Sequence, residues 1–171
     1  KYLNSPDTEL FHKGLNLYNH APAREACGKG AQLIVCEGYM DAIALVEAGF
    51  GGAVAPLGTA VTEDQLRLMW RIHPEPVIAL DGDAAGIRAA LRVIDLALPM
   101  LEAGNALRFV VLPEGQDPDD LIKSQGREAI EPRVGHALDE GFASFLGQHL
   151  LQLADLRLKL AVCGRVRPGG F

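Results

Sequence analysis

Four short apolar runs, at residues 33–36 (LIVC), 52–55 (GAVA), 77–80 (VIAL) and 107–112 (LRFVVL), each stop against a proline or an acidic residue. Runs of this length, without polar alternation, read as strands buried on both faces. Helical signals fill the gaps between them. Residues 41–48 (DAIALVEA) close at Gly49. Thr62 followed by Gln65 forms a capping box that opens a helix through Trp70. Residues 83–102 form a long helix with Ile87, Leu91, Ile94, Leu98 and Leu101 as its apolar stripe, and Pro99 is placed to kink it. Asp117 and Pro118 are an N-cap and first-turn pair for a helix that stops at Gly126. Strands that alternate with helices predict an α/β fold with a mainly parallel, four-stranded central sheet flanked by helices.

The flanks are less regular. Residues 1–31 contain Asn4-Ser5-Pro6-Asp7 and Pro22 and are expected to be a mostly irregular lead-in, with a short helix near 14–19. The central unit is expected to span 32–126, followed by a C-terminal helical appendage at 127–160 that carries Leu150, Leu151, Leu153 and Leu156. Residues 161–171 break that pattern and are expected to be a disordered, vector-derived or altered tail.

At 171 residues, 49% apolar and 22% charged, the chain is a globular protein of about one domain. It begins at Lys1 without a signal-peptide pattern, and is read as a piece of a longer protein. No apolar run reaches the ~20 residues of a membrane span. Its 3 cysteines, Cys27, Cys36 and Cys163, form no CxxC, which disfavours a disulfide scaffold or a zinc site and fits a reducing cytosol. The net charge of −6 is concentrated in residues 32–126, with 14 acidic and 6 basic side chains. Such a surface repels nucleic-acid phosphates unless cations intervene.

In parallel sheets the functional site lies beyond the carboxyl ends of the strands. The first run ends in Glu37-Gly38, the second is followed by Gly58-Thr59-Ala60, the third ends in Asp81-Gly82-Asp83, and the fourth leads to Asp117-Pro118-Asp119-Asp120. Asp81 and Asp83 are two apart and share a side of an extended segment. Carboxylates this crowded take up protons unless a cation offsets them. An all-oxygen donor set points to Mg²⁺ or Mn²⁺, and so to phosphoryl or nucleotidyl transfer. Helix capping by Asp41, Asp83 and Asp117 is the competing explanation, but it leaves Glu37 and Asp81 unexplained. The pairs Arg67/Arg71 and Arg88/Arg92 read as solvated helix faces, Tyr39 as a packing residue, and the histidines show no metal spacing.

These blocks resemble the toprim domain shared by topoisomerases and primases. Glu37 and Asp81-Gly82-Asp83 match its acidic signature. Five blocks in order resemble bacterial DnaG-type primases more specifically: the opening Lys1-Tyr2-Leu3-Asn4-Ser5-Pro6 with Phe11-His12-Lys13-Gly14, then Glu37-Gly38-Tyr39-Met40-Asp41, Leu57-Gly58-Thr59-Ala60, Asp81 to Gly86, and Leu112-Pro113 through Asp120.

The resemblance implies a toprim fold and an enzyme that makes short RNA primers on DNA. It implies Glu37, Asp81 and Asp83 as catalytic acidic residues and metal ligands, and Asp117 and Asp119 as a further metal-binding pair. It also implies Lys13, Gly58 and Thr59 as nucleotide-binding positions, with Mg²⁺ as cofactor and Mn²⁺ able to substitute. The partners implied for the intact enzyme are a single-stranded DNA template, ribonucleoside triphosphates and, through a C-terminal domain, the replicative helicase. Its implied location is the bacterial cytoplasm, at replication forks. The zinc-binding domain, basic subdomain and helicase-binding domain of such primases are not in this sequence. It is therefore expected to be monomeric and to bind metal while synthesising little or no primer. A toprim nuclease or topoisomerase piece, and a non-catalytic toprim scaffold, are the alternatives.

Overall fold

The computed structural model describes residues 8–9, 11–58 and 60–135. The expected continuation of the helical appendage to 160, the tail at 161–171, Thr59 and the opening motif at 1–6 lie outside the described residues.

All four apolar runs form strands: β2 (Ile34–Val35), β3 (Ala53–Pro56), β4 (Val77–Gly82) and β5 (Arg108–Glu114). They pair in parallel, β2 with β3 and β4, and β4 with β5. A fifth strand, β1 (Leu17–Tyr18), joins antiparallel at the edge, giving the order β1-β3-β2-β4-β5. It falls where the sequence suggests a short helix. Only Lys13–Leu15 form a helical turn there, of the 3-10 type. Asn19 then takes a left-handed conformation (φ 61°) and its Nδ2 donates to Ala53 O at 2.9 Å. Asparagine tolerates that region, so the chain turns sharply into α1 (His20–Gly28), a helix that Pro22 masks in the sequence but accommodates in its first turn.

The remaining helices follow the expected order: α2 (Tyr39–Glu47), α3 (Glu63–Ile72), α4 (Ala84–Ala97), α5 (Pro118–Gln125) and the short α6 (Glu131–Gly135). Strand residues alternate between two cores. Val35, Ile78, Leu80 and Phe109 pack with Leu66 and Met69 of α3 and with α4. Ile34, Ala79, Val110 and Leu112 pack with Leu45 of α2 and Leu121 of α5. This two-sided burial explains the absence of polar alternation.

Helix α4 departs from the expected stripe. Its buried positions are Gly86, Ala90, Val93 and Ala97, one residue before the predicted series, while Leu101 is 38% exposed. Small side chains bring the helix close to the sheet, and the larger Ile87, Leu91 and Ile94 fill its flank, half-buried. The α-helix ends at Ala97, and Pro99 sits in a 3-10 turn, Leu98–Met100.

The Thr62–Gln65 capping box forms as expected, with Gln65 N donating to Thr62 Oγ1 (3.2 Å) and Thr62 N to Gln65 Oε1 (3.1 Å). The buried Gln65 amide also has its Nε2 within 2.8–3.0 Å of the carbonyls of Lys13, Asn16 and Leu57. Thr62 Oγ1 donates to Gly14 O at 2.5 Å. One polar side chain thus fastens the segment before β1 to the carboxyl end of β3.

Candidate active site

The parallel strands deliver their acidic residues to one edge. Glu37 follows β2, Asp81 lies near the end of β4, and Asp83 is the N-cap of α4. Asp83 Oδ1 accepts from the N–H groups of Ala85 and Gly86, both at 2.7 Å. Asp117 caps α5 in the same way, with Oδ1 accepting from Asp120 N at 2.7 Å. The capping explanation therefore holds for both residues. Each cap uses one oxygen, so it does not consume the second.

Asp41 differs from the sequence expectation. Helix α2 begins two residues earlier, at Tyr39, and Asp41 folds back from its first turn to accept from Gly38 N at 3.2 Å. This places a further carboxylate beside the strand ends, 8% exposed. Burial and the charges of Asp117 and Asp119 push its carboxyl up to about 6, against the N–H groups of Gly38 and Asp119, which favour the ion.

Asp81 is the electrostatic centre. Burial, followed by the charges of Glu37, Asp41, Asp117 and Asp83, pushes its carboxyl up to about 7. Glu37 is also raised, by desolvation first and by Asp83; the backbone of Asp81 and the charge of Arg92 oppose this. Two buried oxygens at this edge, Asp81 Oδ1 and Gln116 Oε1, have no hydrogen-bond partner among the described residues.

Close backbone approach builds the edge. A Cβ on Gly82 would lie 1.9 Å from Pro113 O. Gly82 N donates to Gln116 O and Gly115 N donates to Gly82 O, both at 3.2 Å. The register of β4 and β5 shifts between Leu80 and Gly82. That irregularity lies where the 113–117 loop bonds to Gly82, next to Asp81.

Four of the five predicted acidic residues, Glu37, Asp81, Asp83 and Asp117, fall into one interacting set. Asp119 is near Asp41 but pairs with Lys123 of its own helix at 2.5 Å. Gly58 (φ 112°) is in the loop beyond β3, which only glycine enters without strain, and it lines a cavity shared with Glu37. Lys13 sits in the turn fastened by Gln65. Sequence reasoning missed Asp41 as a member of the set and Arg92 as a neighbour of Glu37. The four-residue spacing of Glu37 and Asp41 around a strand-to-helix turn was the available signal for the first.

The donor chemistry fits a hard divalent cation: the groups are carboxylates, one of which (Asp81) has a buried oxygen without a partner, and the Gln116 Oε1 oxygen also lacks one among the described residues. Among the described residues, no group of three or more acidic, cysteine or histidine side chains is placed to hold a metal ion by itself. Mg²⁺ keeps several waters and is usually held by one or two carboxylates together with substrate phosphates.

Residues 31–111 match the Toprim domain family, and the chain carries a toprim domain. Its relatives narrow the class. The chain is 43% identical over 156 residues to DNA primase of Escherichia coli K12, covering 91% of this chain and 26% of that protein. The Escherichia coli primase catalytic core superposes with a TM-score of 0.79 at 42% identity, over 90% of this chain and 48% of the other. A DnaG primase catalytic domain bound to single-stranded DNA gives the same TM-score, 0.79, at 42% identity, over 90% of this chain and 49% of that one. The toprim domain is of the kind found in bacterial DnaG-type DNA primases, and the chain spans about a quarter of the length of its curated relatives.

Proposed function

We propose that this chain is the metal-binding catalytic module of a DNA-dependent RNA polymerase that makes short RNA primers for DNA replication. One observation carries the reading: Asp81, with a buried oxygen lacking a partner, faces four further carboxylates at the carboxyl edge of a parallel sheet. A fold without a cation gains nothing from this crowding. The relatives named above support primer synthesis as the chemistry.

In this reading Glu37, Asp81 and Asp83 hold Mg²⁺, Asp117 and Asp119 serve a further metal, and Mn²⁺ substitutes. When bound, the cation lowers the pKa of the attacking hydroxyl and neutralises phosphate charge. Asp83 and Asp117 keep their places through the helix caps, and Asp41 is held by Gly38, so the acidic frame is fixed before substrate arrives. Lys13, Gly58 and Thr59 bind the incoming nucleotide. The template is single-stranded DNA, and the helicase and most template contacts belong to parts of such enzymes outside this chain. The chain by itself is expected to be monomeric and to bind metal without sustained primer synthesis. The division into a lead-in (1–31), toprim unit (32–126), helical appendage (127–160) and tail (161–171) is part of the same proposal.

The test has two arms. Calorimetry with Mn²⁺ on this chain should show binding that disappears in the Asp81→Asn/Asp83→Asn double variant. A chimera in which this chain replaces the matching region of the Escherichia coli primase should make primers, and the same two substitutions should abolish that. Metal binding without synthesis by the chimera would favour a non-polymerising toprim enzyme. Absence of both would favour a scaffold.

A further inference from the structure

Arg88 and Arg92, read from sequence as one solvated face, part company in the fold. Arg92 lines a cavity of about 100 Å³ between α4 and the ends of β2, β3 and β4, together with Glu37, Gly58 and Ala60. Arg88 does not. The walls are apolar, formed by Val35, Ile78, Leu80 and Val93, so the Glu37 carboxylate and the Arg92 guanidinium are its charged groups.

Arg92 is exposed and has no ion pair within 4 Å among the described residues. Arg67, by contrast, is 2.9 Å from Glu63 and Arg127 is 3.2 Å from Glu131. Its charge still reaches Glu37, where it favours the ionised carboxylate. The helix beneath it is anchored at its start by the Asp83 cap and by Gly86 against the Asp81 backbone. The base of the side chain therefore keeps a fixed relation to the acidic set.

A phosphate approaching this edge meets several carboxylates, and a metal ion neutralises only part of that field. A guanidinium beside Glu37 offers the planar fork of donors that matches phosphate oxygens. We propose that Arg92 is a substrate-binding residue that takes the non-bridging oxygens of a phosphate at the mouth of this cavity. The phosphate belongs either to a nucleoside triphosphate or to a nucleic-acid strand. This inference rests on the nucleotidyl-transfer reading of the carboxylates.

The test compares the wild-type chain with Arg92→Ala, Arg92→Lys and Arg88→Ala in Mg²⁺. One arm titrates a nucleoside triphosphate and the other a single-stranded oligonucleotide across a salt series. Thermal unfolding checks that each variant is folded. Arg92→Ala should weaken at least one ligand by about tenfold, as expected for loss of a charge-assisted contact. If that ligand is the oligonucleotide, the salt dependence should fall by about one unit. Arg92→Lys should recover part of the loss, and Arg88→Ala should change affinity less than about twofold. Loss confined to the triphosphate assigns the phosphate to the nucleotide; loss confined to the oligonucleotide assigns it to the strand. Unchanged affinity for both, an equal loss in Arg88→Ala, or no binding of either ligand by wild type overturns the proposal. Mn²⁺ titration of wild type and Arg92→Ala runs in parallel. Intact Mn²⁺ binding with no Arg92 effect overturns this inference alone, whereas absent Mn²⁺ binding in wild type overturns the reading of the carboxylates.

Discussion

Gly86 and Asp81 approach so closely that a Cβ on Gly86 would stand 2.3 Å from the Asp81 carbonyl oxygen. The obstacle is backbone, so it cannot rotate away. Gly86→Ala must push α4 off the sheet or displace Asp81. The expected cost is about 1–3 kcal/mol or more, as for overpacked cores, together with loss of Mn²⁺ affinity. Urea unfolding and calorimetry on the same sample check both. A stable variant with unchanged metal binding would show that the edge tolerates movement.

The two roles of Asp83 are separable. Asp83→Asn keeps a side-chain oxygen for the Ala85 and Gly86 N–H groups, whereas Asp83→Ala removes it. Alanine should cost about 1 kcal/mol of stability, the usual value of an N-cap, and asparagine much less. Both should weaken Mn²⁺ binding. Equal metal affinity in wild type and Asp83→Asn would confine Asp83 to capping.

The acidic set should make the metal-free protein sensitive to pH. The Asp81 carboxyl rises from the ordinary range near 4 to about 7 on folding, and that of Asp41 to about 6. Between about pH 4 and pH 7 the folded state therefore holds more protons than the unfolded one. Its stability falls as pH rises through that window. In chelator, Asp81→Asn should raise Tm relative to wild type at pH 7.5 and make little difference at pH 4, and saturating Mn²⁺ should narrow the neutral-pH gap. A gap that grows toward acid would reverse the sign and refute the electrostatic account.

Gln65 should matter more than its surface chemistry suggests. Gln65→Leu removes the donor shared by the carbonyls of Lys13, Asn16 and Leu57. Buried acceptors left unsatisfied cost about 1–3 kcal/mol. Faster amide hydrogen exchange at Leu15, Asn16 and Leu57, whose N–H groups bond within this same junction, is the expected signature. Unchanged exchange there would mean that the apolar contacts of Leu17 hold the segment unaided.

The parts of this fold visible in the sequence are those dictated by burial on both sides of a sheet. The runs around Ile34, Val54, Ile78 and Val110 have no polar alternation because helices cover both faces, and their ends place Glu37 and Asp81 at one edge. Asp83 and Asp117 were legible as caps because capping needs only local chemistry. Strand β1 was not, since two residues, Leu17 and Tyr18, carry no period of their own and become a strand only through pairing with β3. The rotation of α4 was hidden for a related reason. Hydrophobic size favours Ile87 and Leu91, while close packing on the sheet selects Gly86 and Ala90. Arg92 is solvated as the sequence suggests, but its place on a cavity shared with Glu37 was not legible, because Glu37 is 55 positions away in sequence.

The amide of Gln65 also bears on where an autonomous unit of this protein can be cut. The family match starts at residue 31, yet the acceptors nearest that amide include carbonyls at 13 and 16. A version trimmed to the matched span would lose its edge strand, expose the flank of β3 as an unpaired template for other chains, and leave the amide without two of its three acceptors. The smallest piece that keeps its native interior therefore begins before Lys13. The lysine that the family resemblance assigns to nucleotide binding thus lies within the folding unit that supports the carboxylates.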